Sequence, residues 1–192
     1  SGTVNEMIKG IIFDYDGVIA DSISVQYKII QKIARKFGGK PFSSFEDFRE
    51  RFSDWRPYYQ SFDPSNPRIV GQAERMFYAE FHKLRPDIRL YDGIADVIVK
   101  LSKNYKLGIA SHSSLKTIES ALRSNDLLRY FDAIAGGDST EKLKPHPDHL
   151  RVCMNKLKIK PSETCEVGDA MWDIKAARAA KVAKIIAVTY GL

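Results

Sequence analysis

Long hydrophobic runs and cysteines are both scarce in this sequence of 192 residues. No apolar stretch approaches the roughly 18 residues that a membrane-spanning helix requires, so no membrane partner is expected. Residues 1–7 lack the basic and apolar regions of a secretory signal. The two cysteines, Cys153 and Cys165, are too few for a disulfide framework or a cysteine-rich zinc site. These absences predict a cytoplasmic protein with two reduced thiols.

The charge is basic, with a formal net charge of +6. A basic balance can indicate nucleic-acid binding, but the basic residues here are scattered along the chain. The densest group, residues 32–36, is typical of one solvated helix face. We therefore expect no nucleic-acid partner. The surplus charge suits an anionic small molecule equally well.

Short apolar segments alternate with helical segments through most of the chain. Strands are predicted at 8–13, 107–110, 133–135, 165–167 and 185–188, and helices at 93–103, 114–124, 147–157 and 172–180. This alternation predicts an α/β fold with a Rossmann-like parallel sheet and helices on both faces. Such sheets place their functional sites at the carboxyl ends of the strands.

The segment after the first predicted strand differs in composition and in predicted secondary structure. A long helix is predicted at 22–37, and residues 40–86 are rich in aromatic residues and interrupted by prolines, with another helix at 67–84. No strand is predicted here. We therefore expect a small all-helical domain, residues 20–87, inserted into a core domain made of residues 1–19 and 88–192.

Acidic residues follow the first predicted strand. Asp14 and Asp16 stand two residues apart, where one carboxylate can serve as a nucleophile and the other as a proton donor. An aspartate can attack phosphorus if a cation offsets the repulsion between two anions. Asp16-Gly17 is also a common turn pair, so this pattern alone leaves both interpretations open.

The next two strand ends carry a hydroxyl and a lysine. Ser111 follows the second strand, where a hydroxyl and backbone amides at a helix start can bind phosphate, although Ser113 or Ser114 could be an ordinary helix cap. Lys144 lies beyond the third strand, directly before the stiffening prolines Pro145 and Pro147, and it could neutralise phosphate oxygens. A surface lysine is the alternative.

Two more carboxylates follow the fourth strand. Asp169 and Asp173 are four residues apart at a strand end and helix start. Oxygen ligands of this kind suit Mg²⁺, although acidic residues also favour a helix N-terminus without any metal. Each motif alone is weak evidence for a phosphate site. Chance placement of all four motifs after consecutive strands is improbable.

This ordered set resembles the haloacid dehalogenase superfamily, in the branch with a helical cap that contains the phosphoglycolate phosphatases. The motifs that carry the resemblance, over about residues 8–190, are Asp14-x-Asp16-Gly17-Val18, Ser111, Lys144-Pro145-x-Pro147 and Gly168-Asp169-x-x-x-Asp173. The resemblance implies a phosphatase that acts on a small phosphorylated metabolite. It leaves open whether the protein is a monomer or a homodimer.

The resemblance also implies a role for each catalytic residue. Asp14 would attack phosphorus and become an aspartyl-phosphate, and Asp16 would protonate the leaving oxygen and then activate water. Ser111 and the amide of His112 would hold the transferring phosphoryl group, and Lys144 would steady it together with Asp14.

The implied cofactor is Mg²⁺. Its ligands would be Asp14, the backbone carbonyl of Asp16, and Asp169, with Asp173 supporting the metal. One position departs from the family pattern, since Lys181 stands where a glycine usually follows the last motif's helix. A lysine at a helix C-terminus is favourable for the helix dipole.

Other functions remain possible at this point. Dehalogenases of the superfamily lack the second motif aspartate, so Asp16 favours phosphate chemistry. Sugar-phosphate mutases keep that aspartate, but they carry a histidine where this chain has Gln26. A non-enzymatic, receiver-like phospho-acceptor also uses aspartates, a hydroxyl and a lysine around Mg²⁺, but receivers are shorter and have no insert.

In this branch the cap selects the leaving group. Possible substrate contacts in the insert are its arginines and tyrosines, namely Arg49, Arg51, Arg56, Tyr58 and Tyr59. Most of the aromatic residues are expected to form the core of the insert itself.

Overall fold

The computed structural model describes residues 7–52, 55–85 and 88–192. Its strands are β1 (Gly10–Phe13), β2 (Lys106–Ala110), β3 (Ala133–Ala135), β4 (Thr164–Gly168) and β5 (Lys184–Ala187). Its α-helices are α1 (Ile23–Lys36), α2 (Phe45–Arg51), α3 (Trp55–Gln60), α4 (Ile69–Leu84), α5 (Ile94–Leu101), α6 (Leu115–Ser124), α7 (Asp148–Leu157) and α8 (Met171–Ala180). Each predicted strand and core helix is present within two residues or so at either end.

The strands form one parallel sheet in the order β3-β2-β1-β4-β5. β1 lies at the centre, with Phe13 opposite Ile109 of β2 and Val167 of β4. The strand order reverses at β1, because the chain adds strands first on one side and then on the other. A doubly wound sheet opens its crevice at such a reversal. The predicted Rossmann-like α/β fold is confirmed.

One face of the sheet is covered by α7 and α8. Side chains from Ile12 on β1, Leu150 and Leu157 on α7, and Ala176 and Ala177 on α8 pack into one buried cluster. Alanines on α8 allow the helix to approach the sheet closely, since they add little volume. This packing fixes the start of α8, and therefore fixes where the last acidic motif lies relative to β1 and β4.

By its internal contacts the chain divides into two compact units, one of residues through Ala20 with 90–191 and one of residues 21–89 with Leu192. The first unit contains the sheet and the second contains α1 to α4. The predicted boundaries at 19/20 and 87/88 lie close to these, and the predicted role of the insert as a cap stays a prediction.

The second unit is held together by aromatic packing around α1. Phe42, Phe48 and Phe52 are buried with Ile23 and Ile30 in one cluster. The described part of this unit contains helices and loops but no strand, as predicted. Its rings meet at centroid distances such as 4.8 Å for Phe48 and Phe52, so the aromatic residues mainly form a small core.

A buried amide fixes the chain after α1 to that helix. Gln31 donates from Nε2 to the carbonyl of Phe42 at 2.8 Å and accepts from the Phe42 amide at 2.8 Å. Both polar ends of the side chain are therefore paired inside the core. Such pairing removes the cost of burying an amide.

Within the described ranges, no helix combines the length and the apolar character needed to cross a membrane.

Lys181 ends α8 in the left-handed conformation, with φ of 59° and ψ of 37°. A side chain with a Cβ pays about 1 kcal/mol or more in this region, whereas glycine does not. The favourable charge of a lysine at a helix C-terminus offsets only part of that, about 0.3–1 kcal/mol. The departure from the family glycine therefore carries a backbone cost.

We predict that Lys181→Gly raises the free energy of unfolding by about 0.5–1 kcal/mol, because it relieves this strain. Urea denaturation measures the change. The matched control is Lys175→Gly on the exposed side of α8, where glycine should lower stability by about 1 kcal/mol. Equal destabilisation by both substitutions contradicts the strain argument.

Candidate active site

The candidate site lies at the carboxyl ends of β1, β2 and β4, in the first unit. Asp14 follows β1, Ser111 follows β2 and Asp169 follows β4. Because these neighbouring strands are parallel and in register, their carboxyl ends meet at one edge of the sheet. The sheet therefore brings together residues that are up to about 160 positions apart in the chain.

A buried lysine joins two of the motifs. Lys144 Nζ lies 3.1 Å from Asp14 Oδ1 and 2.5 Å from Asp173 Oδ1, and it donates to the carbonyl of Ala110 at 3.0 Å. All three charged side chains are almost completely buried. The ammonium thus donates to two acceptors, forms an ion pair with a third group, Asp14, and is almost fully shielded from solvent. The alternative of a surface lysine is wrong.

Burial and charge act on this group of residues together. Burial raises the pKa of Asp14 well above its usual value, and the carboxylates of Asp173, Asp169 and Asp16 add to the increase against the lowering effect of Lys144. Burial disfavours the charged form of Lys144, yet Asp14 and Asp173 hold its pKa above the usual value. The lysine is therefore always charged, while the site has an excess of negative charge.

Three carboxylates form a cluster that could hold a metal ion. Asp14, Asp169 and Asp173 each offer an oxygen, and these atoms lie within 4.8 Å of one another. Mg²⁺ prefers carboxylate oxygens and keeps several of its waters. A dication would also offset the repulsion between the carboxylates, which adds to the effect of burial on the pKa of Asp14. The donor set of the described residues therefore fits Mg²⁺.

A glycine, Gly17, leaves space for the carboxylate of Asp169. Gly17 has φ of 82°, and a Cβ there would lie within 2.6 Å of Asp169 Cγ. The Asp16-Gly17 turn that the sequence offered as an alternative is therefore present, and the catalytic role of Asp14 and Asp16 stays a prediction. It turns the chain after Asp16 and leaves room for Asp169 beside β1.

Asp173 is already engaged through both oxygens. Oδ1 binds Lys144, and Oδ2 accepts from the amide of Ala170 at 3.0 Å. This second bond fixes the first turn of α8. Asp173 thus holds Lys144 in place, whether or not it also contacts a metal.

Asp16 lies beside the loop after β2 and not in the carboxylate cluster. Its Oδ2 accepts a hydrogen bond from Ser113 Oγ at 2.6 Å. Ser111 is buried, and its Oγ accepts from the amide of Ser113 at 3.2 Å.

Ser114 is the N-cap of α6, but its side chain makes no cap hydrogen bond. Its hydroxyl instead pairs with Thr117 at 2.7 Å.

His112 belongs to the site through its ring as well as its backbone. The ring hydrogen-bonds to the backbone of Lys144 and lies at a centroid distance of 6.2 Å from Trp172. Although His112 as a whole residue is exposed, desolvation of the ring and the charge of Lys144 lower its pKa below the usual value. A neutral imidazole holds the backbone at Lys144 through this hydrogen bond and adds no positive charge to the site.

All seven predicted site residues lie in this one region. Two further residues were not anticipated, Ser113 and Glu166. Ser113 stands in a run of three hydroxyl residues around His112, so a helix cap explained it sufficiently. Glu166 was detectable as the one acidic residue within the predicted strand 165–167.

Glu166 is a buried acid on β4 with an exposed fraction of 2%. Its Oε2 has no hydrogen-bond partner in the described part of the chain. Burial first, and then the neighbouring charge of Asp173, raises the pKa of Glu166 to about 8. The neutral acid is therefore the favoured form below that pH, which spares the site another buried negative charge.

We predict that Glu166→Gln increases stability relative to the original protein more at pH 8.5 than at pH 5. The unfolded state loses its proton as pH rises above the usual glutamate value near 4.5, while the folded state keeps it until about 8. The original protein therefore loses stability across this window and the glutamine variant does not. Denaturation in EDTA at both pH values measures the difference.

The exposed Glu141→Gln serves as the control, since it removes the same charge from a loop in solvent. If the free energies of unfolding of Glu166→Gln and the original protein differ by the same amount at both pH values, the raised pKa is contradicted.

Comparison with curated proteins identifies related enzymes. The phosphorylated carbohydrates phosphatase of Thermotoga maritima is 26% identical over 197 residues, which covers 96% of this chain and 87% of the relative. The phosphoglycolate phosphatase of Shigella boydii is 33% identical over 125 residues, which covers 65% of this chain and 48% of the relative.

Solved structures support the same relationship at the level of the fold. A haloacid dehalogenase-like hydrolase from Streptococcus pneumoniae has a TM-score of 0.79 at 21% identity, covering 96% of this chain and 86% of its own. The model of the family described as haloacid dehalogenase-like hydrolase matches residues 11–188. Since this match spans nearly the whole chain, the predicted family is confirmed, and the protein belongs to the haloacid dehalogenase-like hydrolases as a phosphatase of that family.

Proposed function

We propose that this protein is a Mg²⁺-dependent phosphatase that hydrolyses a small phosphomonoester through an aspartyl-phosphate on Asp14. The observation that carries the proposal is the buried ion-pair group in which Lys144 contacts both Asp14 and Asp173. A fixed cation beside a carboxylate at a strand end is suited to phosphoryl transfer, which depends on positioning and on charge stabilisation.

Asp14 is the proposed nucleophile. Its Oδ1 accepts from the amide of Tyr15 at 2.6 Å and lies 3.1 Å from Lys144 Nζ, so one oxygen is fixed. In the first step the other carboxylate oxygen attacks phosphorus, and the bond from phosphorus to the leaving oxygen breaks. In the second step water attacks the phosphorus, the bond to Asp14 breaks, and inorganic phosphate leaves.

Asp16 is the proposed acid and base. It gives a proton to the leaving oxygen in the first step and takes one from water in the second, which returns the enzyme to its starting state. Its bond to Ser113 places it next to the loop that carries Ser111. Ser111 and the amide of His112 would hold the phosphoryl oxygens at the start of α6.

Mg²⁺ would be held by Asp14, Asp169 and the backbone carbonyl of Asp16, with Asp173 in support. When bound, the ion supplies positive charge that lets an anionic nucleophile approach an anionic phosphate. Lys144 carries the remaining cationic charge. Asp169 reaches the site because Gly17 and Gly191 leave space around its carboxylate.

Residues 21–89 are proposed as the cap that selects the leaving group of a small phosphorylated metabolite. Three of the contact candidates are already engaged within this unit. Tyr59 is 1% exposed, so it belongs to the core of the cap, and Arg51 pairs with Asp47 at 2.8 Å. The Tyr58 hydroxyl donates to the carbonyl of Lys40 at 3.0 Å, and its ring stacks on Phe42. The Arg56 side chain lies outside the described residues, and Arg49 stays a candidate for substrate contact.

A cytoplasmic setting forms part of the proposal, with the protein acting as a monomer or homodimer. Both cysteines are buried free thiols, which suits a reducing compartment.

We predict that purified protein releases inorganic phosphate from small phosphomonoesters, with p-nitrophenyl phosphate and 2-phosphoglycolate as the first probes. Release should require Mg²⁺ and should stop in EDTA, because the carboxylate cluster then repels the substrate. A phosphate assay at each metal concentration measures this. Hydrolysis that continues in EDTA contradicts the metal role.

Asp14→Asn should lower kcat by at least about 10³-fold, because an amide is a poor nucleophile. The matched control is Asp96→Asn on the exposed side of α5, which should leave kcat unchanged. Equal activity in both variants contradicts the assignment of the nucleophile.

Assays on the same purified protein distinguish the phosphatase from the two alternative functions. Isomerisation of a hexose phosphate without net release of phosphate indicates a mutase. Stable phosphorylation of the protein without turnover indicates a receiver-like phospho-acceptor.

A further inference from the structure

Ser113 contacts the one catalytic carboxylate that the buried lysine does not reach. Its Oγ donates to Asp16 Oδ2 at 2.6 Å, which is in the range of a short, charge-assisted hydrogen bond. In the described part of the chain Ser113 is the side chain that supplies such a bond to Asp16. No side chain or amide among the described residues donates to the other carboxylate oxygen, Oδ1, which leaves it for proton transfer.

The backbone of Ser113 is fixed on both sides. Its carbonyl accepts from the amide of Gly137 at 2.8 Å, and its amide donates to Ser111 Oγ at 3.2 Å. A Cβ on Gly136 would lie 2.8 Å from the Ser113 carbonyl oxygen, so the loop after β3 packs directly against this segment. The backbone that carries the hydroxyl is therefore held in place by the loops after β2 and β3.

We propose that Ser113 is a positioning residue for Asp16, which it holds with Oδ1 directed to the proton transfer. This inference rests on the proposed function, because it assumes that Asp16 is the acid and base. A carboxylate that rotates freely about its χ angles spends less time in the reactive orientation, and loss of orientation lowers the rate. The phosphate-binding serine and the serine that orients the acid then belong to one short segment, Ser111-His112-Ser113.

The leaving group provides a direct test. p-Nitrophenolate leaves readily without a proton, whereas phenolate is more basic and needs one. If Ser113 acts through Asp16, Ser113→Ala should lower kcat/KM for phenyl phosphate by about 10-fold or more, within the 10²–10⁴-fold that general acid catalysis contributes. The same variant should lower kcat/KM for p-nitrophenyl phosphate by about threefold or less.

Matched variants separate this role from a structural one. Ser113→Thr keeps a hydroxyl and should restore most of the activity on phenyl phosphate. Ser114→Ala removes a neighbouring hydroxyl that bonds Thr117, so it should leave kcat/KM unchanged for both substrates. In an Asp16→Asn background, Ser113→Ala should have no further effect, because its partner is already gone.

Three outcomes overturn the inference. Equal losses on both substrates indicate a structural role, a rise in KM alone indicates direct substrate contact, and full activity in Ser113→Ala shows that the bond is unnecessary. The proposed function fails separately, and takes this inference with it, if the original protein hydrolyses neither aryl phosphate. Circular dichroism and thermal unfolding confirm that each variant is folded.

Discussion

The buried ammonium of Lys144 is the group on which the rest of the site depends. It contacts Asp14 and Asp173, and each of these carboxylates would be costly to bury without a cation. Its position is set by β2 through the carbonyl of Ala110 and by α8 through Asp173. Breaking such a buried pair by removing one partner typically costs about 3–5 kcal/mol. The lysine therefore links the stability of the core unit to the geometry of its reactive end.

The charges of the site do not balance within the protein. Asp14, Asp169 and Asp173 carry more negative charge than Lys144 can offset, and this excess adds to the effect of burial in raising the pKa of Asp14. A reactive Asp14 has to be ionised, so the arrangement is suited to an additional dication. Glu166 adds no further negative charge to the site near pH 7, because its raised pKa keeps it neutral. The proposed Mg²⁺ and a neutral Glu166 would both reduce the negative charge of the site.

Much of the site was predictable because parallel strands bring their carboxyl ends together. Asp14, Ser111 and Asp169 follow neighbouring strands, so strand prediction alone placed them at one edge. Ser113 and Glu166 were not predictable in the same way. The Ser113–Asp16 bond depends on how the loop after β2 packs on Gly136 and Gly137, and side-chain direction within a loop has no periodic signal in the sequence. For Glu166, apolar neighbours identified a buried strand without revealing that the acid lies near Asp173. The sequence favoured most of the insert's aromatic residues as its own core, but it did not distinguish Tyr59, which is buried there, from the candidates for substrate contact.

The central claim, that Asp14 forms a covalent phosphoryl intermediate, is tested most directly by trapping it. The protein is mixed with Mg²⁺ and p-nitrophenyl phosphate, quenched in acid within milliseconds, digested and examined by mass spectrometry. The account predicts a base-labile phosphoryl group on the peptide that contains Asp14 and none on the same peptide of Asp14→Asn. A phosphoryl group on Ser111 or His112, or an Asp14→Asn variant that still turns over, contradicts it.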